Sequence, residues 1–152
     1  MQTLMTSYFP DLNVWLALSV RGHAHSGNAW NWLRSQPAQI RLLFSRYTQI
    51  GLLRLLTTPS VMGEQLLTVR KAWAVYDRWL EDGRVQFYPE PRGIDTTFRE
   101  LTAPFVHQPA AKAIGDCYLL AYAGEVGATL LTYDAALHTL ARKQGRRATA
   151  PL

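Results

Sequence analysis

The stretch LLTYDAALHTL, Leu130 to Leu140, changes its period halfway along. Ala128 to Tyr133 is an apolar, strand-like run, whereas the residues after Asp134 follow a helical pattern. Asp134 stands where one gives way to the other. A short acidic side chain there can accept hydrogen bonds from the first free N–H groups of a helix. It can equally serve as a metal ligand, because functional groups of open α/β sheets gather beyond the carboxyl ends of the strands.

Outward from this junction the same alternation repeats. Towards the C-terminus, AALHTLARKQG is expected to be a helix and RRATAPL a short last strand. Towards the N-terminus, AAKAIGDCYLLAYAGEVG places Ile114, Tyr118 and Ala121 on one helical side and ends near Gly124 or Gly127. DTTFRELTAPFV reads as a helix with a capped start at Asp95, and RVQFYPEP as a strand. GEQLLTVRKAWAVYDRWLEDG is the longest helical candidate, with Leu66, Val69, Trp73, Tyr76 and Leu80 at steps of three and four and Gly83 as its terminator. RYTQIGLLRLLTTP is helical up to a stop at Pro59, and QIRLLFS is a strand. HSGNAWNWLRSQ is a helix ending before Pro37. The first segment reads as a strand through Phe9, a break at Pro10-Asp11 and a helix from about Asn13 to Val20. Strands alternating with helices predict an α/β fold with a mainly parallel sheet covered on both faces.

The chain has 152 residues, 48% of them hydrophobic, which suits one domain with a proper core. No repeat, low-complexity tract or long linker divides it. A lone Cys117 closes no intramolecular disulfide, and MQTLMTSYFPD lacks the features of a secretory signal, so a reducing cytoplasm is the expected compartment. No run is long and apolar enough to span a bilayer. The net charge of +5 favours a polyanionic partner such as nucleic acid, or an acidic protein.

Asp11 and Asp134 both end predicted strands, and Asp116 lies early in the helix that feeds the Asp134 strand. Each alone is as well explained by capping. Together they form a candidate set: crowded carboxylates repel one another, and the natural compensation is a hard divalent cation with oxygen ligands, Mg²⁺ or Mn²⁺.

DLNVWLAL (Asp11 to Leu18), HAHSGNAWNWL, TQIGLLRLLT (Thr48 to Thr57), IGDCYLLAYA and LLTYDAAL occur in this order over nearly the whole chain. The set resembles PIN-domain proteins, and most of all the VapC-type toxin ribonucleases of bacterial VapBC toxin–antitoxin pairs. The resemblance implies a PIN-like α/β/α sandwich and Mg²⁺- or Mn²⁺-dependent cleavage of RNA, with tRNA among the common targets. It also implies inhibition by a small VapB-like antitoxin, and a homodimer. By the same resemblance Asp11, Asp116 and Asp134 are the catalytic and metal-binding acids, and Asn13 is the polar neighbour of the first. Thr132 matches a hydroxyl that orients a carboxylate or a metal-bound water. Many PIN domains place a Glu after the second strand, but here no acid stands between Asp11 and Glu64, and Gln49 is the nearest candidate. A subgroup of VapC-like proteins shares this Thr-Gln-x-Gly pattern. Gln is neutral, so cation affinity should be lower than with four acids. A basic rim for the RNA backbone is expected from Arg46, Arg54, Lys112, Arg142 and Lys143, with Arg146-Arg147 as either rim or solvated tail.

Other features carry less. His23-x-His25 has no Cys or third His nearby and reads as a polar loop. His107 and His138 are isolated. Trp30, Trp32, Trp73 and Trp79 fall on helices and suit a core or a dimer contact better than a base-stacking platform. The missing fourth acid motivates a rival reading, a weakly active or inactive PIN-like module that binds RNA or protein.

Overall fold

A computed structural model describes residues 5–152. Five strands, β1 (Ser7–Pro10), β2 (Arg41–Phe44), β3 (Val85–Phe87), β4 (Thr129–Leu131) and β5 (Ala148–Thr149), form one sheet in the order β3-β2-β1-β4-β5. Every pairing is parallel, with Tyr8 beside both Leu42 and Thr129, and Leu130 beside Ala148. The chain moves from β1 outward through β2 to β3, then returns to the other side of β1 for β4. The order therefore reverses between β1 and β4, and the crevice beyond their carboxyl ends is where an open parallel sheet offers a binding site.

Side chains alternate across the pleat and divide the core in two. Leu42, Phe44 and Leu131 point to one face, which is covered by α1 (Leu12–Ser19), α2 (Ser26–Ser35), α3 (Arg46–Leu56) and α5 (Val69–Glu81). Phe9, Leu43 and Leu130 point to the other, under α6 (Ile94–Thr102), α7 (Ala111–Glu125) and α8 (Ala135–Lys143). The result is the expected α/β/α sandwich. Among the described residues no helix is long and apolar enough to cross a membrane.

Several boundaries differ from the sequence reading. The long helix does not begin near Gly63. A short α4 (Pro59–Met62) and a 3₁₀ turn come first, and α5 starts only at Val69, where the Thr68 hydroxyl accepts a hydrogen bond from the Lys71 amide. Pro59 opens α4 at its first position, where no amide donor is needed. Asp95 is not the cap of α6; it sits inside the first turn and pairs with Arg99 at 2.9 Å. Leu66, Val69, Trp73 and Leu80 lie in the expected apolar pattern yet are exposed, and only Ala72 and Tyr76 of α5 are buried. Trp32 is buried, and Trp30 and Trp79 stack at 5.8 Å beside the first core layer.

Candidate active site

Two strand ends build the site. Asp11 follows β1 and caps α1, its Oδ1 accepting from the Leu12 amide at 2.7 Å. Asp134 follows β4 and caps α8, its Oδ1 accepting from the Leu137 amide at 3.2 Å. Capping and a second role are thus compatible, because each carboxylate spends one oxygen on its helix. The second oxygen of Asp11 is held by a polar clamp between the two loops. The buried Thr132 hydroxyl donates to Asp11 Oδ2 at 2.8 Å and accepts from Asn13 Nδ2 and the Asp134 amide, both at 3.1 Å. Asn13 Oδ1 accepts from the Tyr133 amide at 3.3 Å, and the Asp11 amide donates to Leu131 O at 2.8 Å. Residues some 120 positions apart are thereby fixed against each other. His138 is not isolated: its Nε2–H donates to the Thr132 carbonyl at 2.7 Å and braces the same loop.

α7 supplies the third acid. Gly127, with φ +69°, turns the chain from α7 into β4, so α7 lies directly behind that strand. Asp116 on α7 lines one cavity of about 560 Å³ together with Asp11 and Asp134. Lys112, one turn earlier, spans two of the acids, with its Nζ 2.6 Å from Asp116 Oδ2 and 3.0 Å from Asp134 Oδ2. Burial pushes the Asp11 carboxyl up, Thr132 and the Leu12 amide draw it back, and the Asp116 and Asp134 charges add to the rise; the net direction is upward. Burial also raises Asp134, but Lys112 and the Leu137 amide outweigh it and hold this carboxyl below its ordinary value. The Lys112 ammonium is held above its ordinary value, first by its hydrogen bond to Asp116.

The donors are hard carboxylate oxygens lining one cavity, and one ammonium already bridges two of them. This chemistry fits a divalent cation. Among the described residues, no three acidic, His or Cys side chains converge as a ready-made metal cage with Lys112 in place.

The remaining expected residues are dispersed. Gln49 is buried on α3, does not line the cavity, and its carbonyl oxygen accepts from Arg46. The Gly of the Thr-Gln-x-Gly pattern has a packing reason: a Cβ at Gly51 would overlap the Leu12 side chain, so Gly51 lets α3 approach the start of α1 beside Asp11. Arg46 begins α3 at the same sheet edge as the acids and lies 4.6 Å over the Phe87 ring. Arg54 is two turns further along, in an apolar groove with Ile50, Val69 and Trp73. Arg142 and Lys143 end α8, about 12 Å along its axis from Asp134, towards the opposite sheet edge. Of the expected basic rim, Lys112 alone enters the acidic cavity. Its i,i+4 spacing to Asp116 was a readable signal for that contact. Tyr47, Phe98 and Tyr118, which also line the cavity, carried no such signal.

A strand-edge acidic crevice at a topological switch point, clamped between β1 and β4, places the chain among open parallel α/β domains that carry their functional groups beyond the strands' carboxyl ends. Residues 8–143 match the PIN domain family. The chain is 39% identical over 130 residues to Ribonuclease VapC41 of Mycobacterium tuberculosis, covering 83% of this chain and 88% of that protein. It belongs to the PIN-domain family, as a VapC-type toxin ribonuclease. Its fold is shared with Rickettsia felis VapBC2, solved bound to a promoter DNA fragment (TM-score 0.70, 12% identity, 95% of this chain and 98% of that one). It is also shared with Mycobacterium tuberculosis VapC20, a sarcin-ricin loop cleaving toxin (TM-score 0.63, 17% identity, 87% and 93%).

Proposed function

We propose that this ribonuclease is Mg²⁺- or Mn²⁺-dependent, uses Asp11, Asp116 and Asp134 as its cation-binding acids, cleaves structured RNA such as tRNA, and is held inactive by a VapB-like antitoxin. The observation that supports this reading is that three carboxylates from three separate elements line one cavity. A bound cation supplies charge neutralisation at the phosphate and activation of a water for in-line attack. The protein's own contribution is positional. Thr132 and Asn13 fix Asp11 against the Asp134 loop, α7 delivers Asp116, and Lys112 bridges Asp116 and Asp134. Arg46, at the same edge, is placed to hold the RNA backbone.

An antitoxin should be encoded beside the gene and should place a basic side chain among the acids, where Lys112 already shows that an ammonium is accepted. A homodimer is supported by the exposed apolar surface of α3, α4 and α5. The decisive experiment replaces Asp11 or Asp134 by Asn and measures Mn²⁺-dependent cleavage of tRNA alongside circular dichroism. Loss of cleavage with a retained fold is expected. Full cleavage by both variants would overturn the assignment of the acids, and no detectable Mn²⁺ binding by the wild type would favour the non-catalytic binding module.

A further inference from the structure

Facing the same cavity as the three acids is an aromatic wall. Tyr47 in the first turn of α3, Phe98 on α6 and Tyr118 on α7 line it with Ile114. The rings touch in series: Tyr47 and Tyr118 lie 5.2 Å apart at 48°, and Phe98 meets Tyr118 edge-on at 5.6 Å and 65°. Tyr118 is rooted in the second core layer, its ring 6.4 Å from that of the buried Tyr122. Tyr47 and Ile114 are different, being 45% and 51% exposed. Their apolar surface gains little from the fold, so the core does not explain them. Gly115, the residue before Asp116, makes room for the arrangement. A Cβ there would lie 2.9 Å from the Tyr47 hydroxyl oxygen, so the absence of a side chain at position 115 lets the tip of the ring come this close to α7 immediately beside the acid.

We propose that this wall is a stacking subsite for one unpaired nucleobase of the RNA, adjacent to the phosphodiester held at the acids. The substrate is then looped or single-stranded RNA in which that base has left its stack. The proposal rests on the reading of Asp11, Asp116 and Asp134 as the cleavage site. A base inside an A-form duplex presents only its edge in a groove and cannot lay its face on Tyr47 while its phosphate reaches the cavity. A splayed base can, and every base has a face to stack, so the wall selects RNA conformation more than sequence. The protein's net charge of +5 suits the RNA backbone that would accompany the base.

The test uses full-length protein and a short single-stranded 2′-O-methyl RNA carrying 2-aminopurine, which resists cleavage and loses fluorescence when it stacks. With wild type, fluorescence should be quenched on binding in the presence of EDTA or Ca²⁺. Tyr47→Phe should retain the quench, whereas Tyr47→Leu should lose it and bind about tenfold more weakly. Phe98→Leu, which disturbs the wall from another helix, should weaken the quench in the same direction. A blunt duplex carrying the same base should bind wild type and Tyr47→Leu equally. Unchanged quenching and affinity in Tyr47→Leu would overturn the proposal. So would unchanged RNA binding together with lost antitoxin binding, which would make the wall a protein contact. Because the readout needs no cleavage, it is separable from the test of the acids: full cleavage by both Asp11→Asn and Asp134→Asn alongside a lost quench in Tyr47→Leu would refute the acid assignment and leave the stacking subsite standing.

Discussion

One hydroxyl joins the two acid-bearing loops. Thr132 is fully buried, donates to Asp11 and accepts from Asn13 and the Asp134 amide, so it sets carboxylates that the chain places 123 positions apart, 134 less 11. Thr132→Val keeps the volume but strands the Asp134 amide and leaves Asn13 Nδ2 and Asp11 Oδ2 only their long 3.4 Å bond to each other. It should cost about 1–3 kcal/mol, and cleavage should fall more than tenfold with the circular dichroism unchanged, while Thr132→Ser recovers most of both. A valine variant that melts and cuts like wild type would remove the clamp from the argument. Lys112 makes a second case. Its side chain is 62% exposed, so Lys112→Met should destabilise the cation-free protein by no more than about 1 kcal/mol. Calorimetric titration should then show tighter Mn²⁺ binding, because the cation no longer competes with an ammonium for Asp116 and Asp134. Weaker or unaltered binding would show that Lys112 is not a competitor. The three acids could be found in the sequence because strand ends and an early helical turn have local signatures. The bridge from Lys112 to Asp134 could not, since it spans 22 positions and exists only once α7 lies against the β4–α8 junction.

At the scale of elements, the sequence was informative wherever a period and a stop signal agreed. The strands of the sheet and the helices following Asp11 and Asp134 were readable from the change of period and the capping acids. The reading failed between Pro59 and Val69. Leu66 continued the apolar spacing of α5, but the Thr68 cap and the 3₁₀ turn at Gly63–Gln65 hold that segment out of the helix. Apolar spacing also gave no warning that the α5 stripe faces outward, because a face made for a partner and a face made for the core have the same period. The passage from α5 to β3 rests on Asp82. Its carboxylate accepts from the Arg84 guanidinium at 2.8 and 3.1 Å and from the Arg84 amide at 2.9 Å, and the hydrogen bonds from Arg84 hold it below its ordinary value. A lowered folded-state value means that the pair adds stability above the unfolded value of 3.8 and loses it as the pH falls through the lower, folded one. Asp82→Asn should therefore be less stable than wild type by about 1 kcal/mol at neutral pH, and the difference should shrink towards zero in acid. Denaturant unfolding at both pH values checks this, and a pH-independent difference would assign the effect to packing.

For the whole molecule, the outward α5 stripe bears on the proposed homodimer. Ile50 of α3, Val61 of α4, and Val69 and Trp73 of α5 are 48%, 43%, 65% and 42% exposed, and a groove lined by Ile50, Leu53, Val69 and Trp73 runs between the two longer helices. A contiguous apolar surface of this kind is the expected form of a two-fold interface, in which each substitution counts twice. Arg54 lies in that groove, away from the acidic cavity, so on the dimer proposal it would serve the interface. Wild type should then migrate in light-scattering chromatography at twice its monomer mass of 17.2 kDa. Trp73→Asp should shift it to the monomer without lowering the helical signal, since the side chain is not part of the buried core. Arg54→Ala should weaken the dimer and leave the salt dependence of RNA binding unchanged, whereas Arg46→Ala should reduce that dependence because Arg46 stands at the acidic edge. Because α3 carries Tyr47 at one end and Ile50 and Arg54 further along, the proposed dimer contact would also hold the helix that walls the cavity. The Trp73→Asp monomer should consequently bind single-stranded RNA more weakly than the dimer even per site. Equal affinity per site would show that the cavity is complete within one chain.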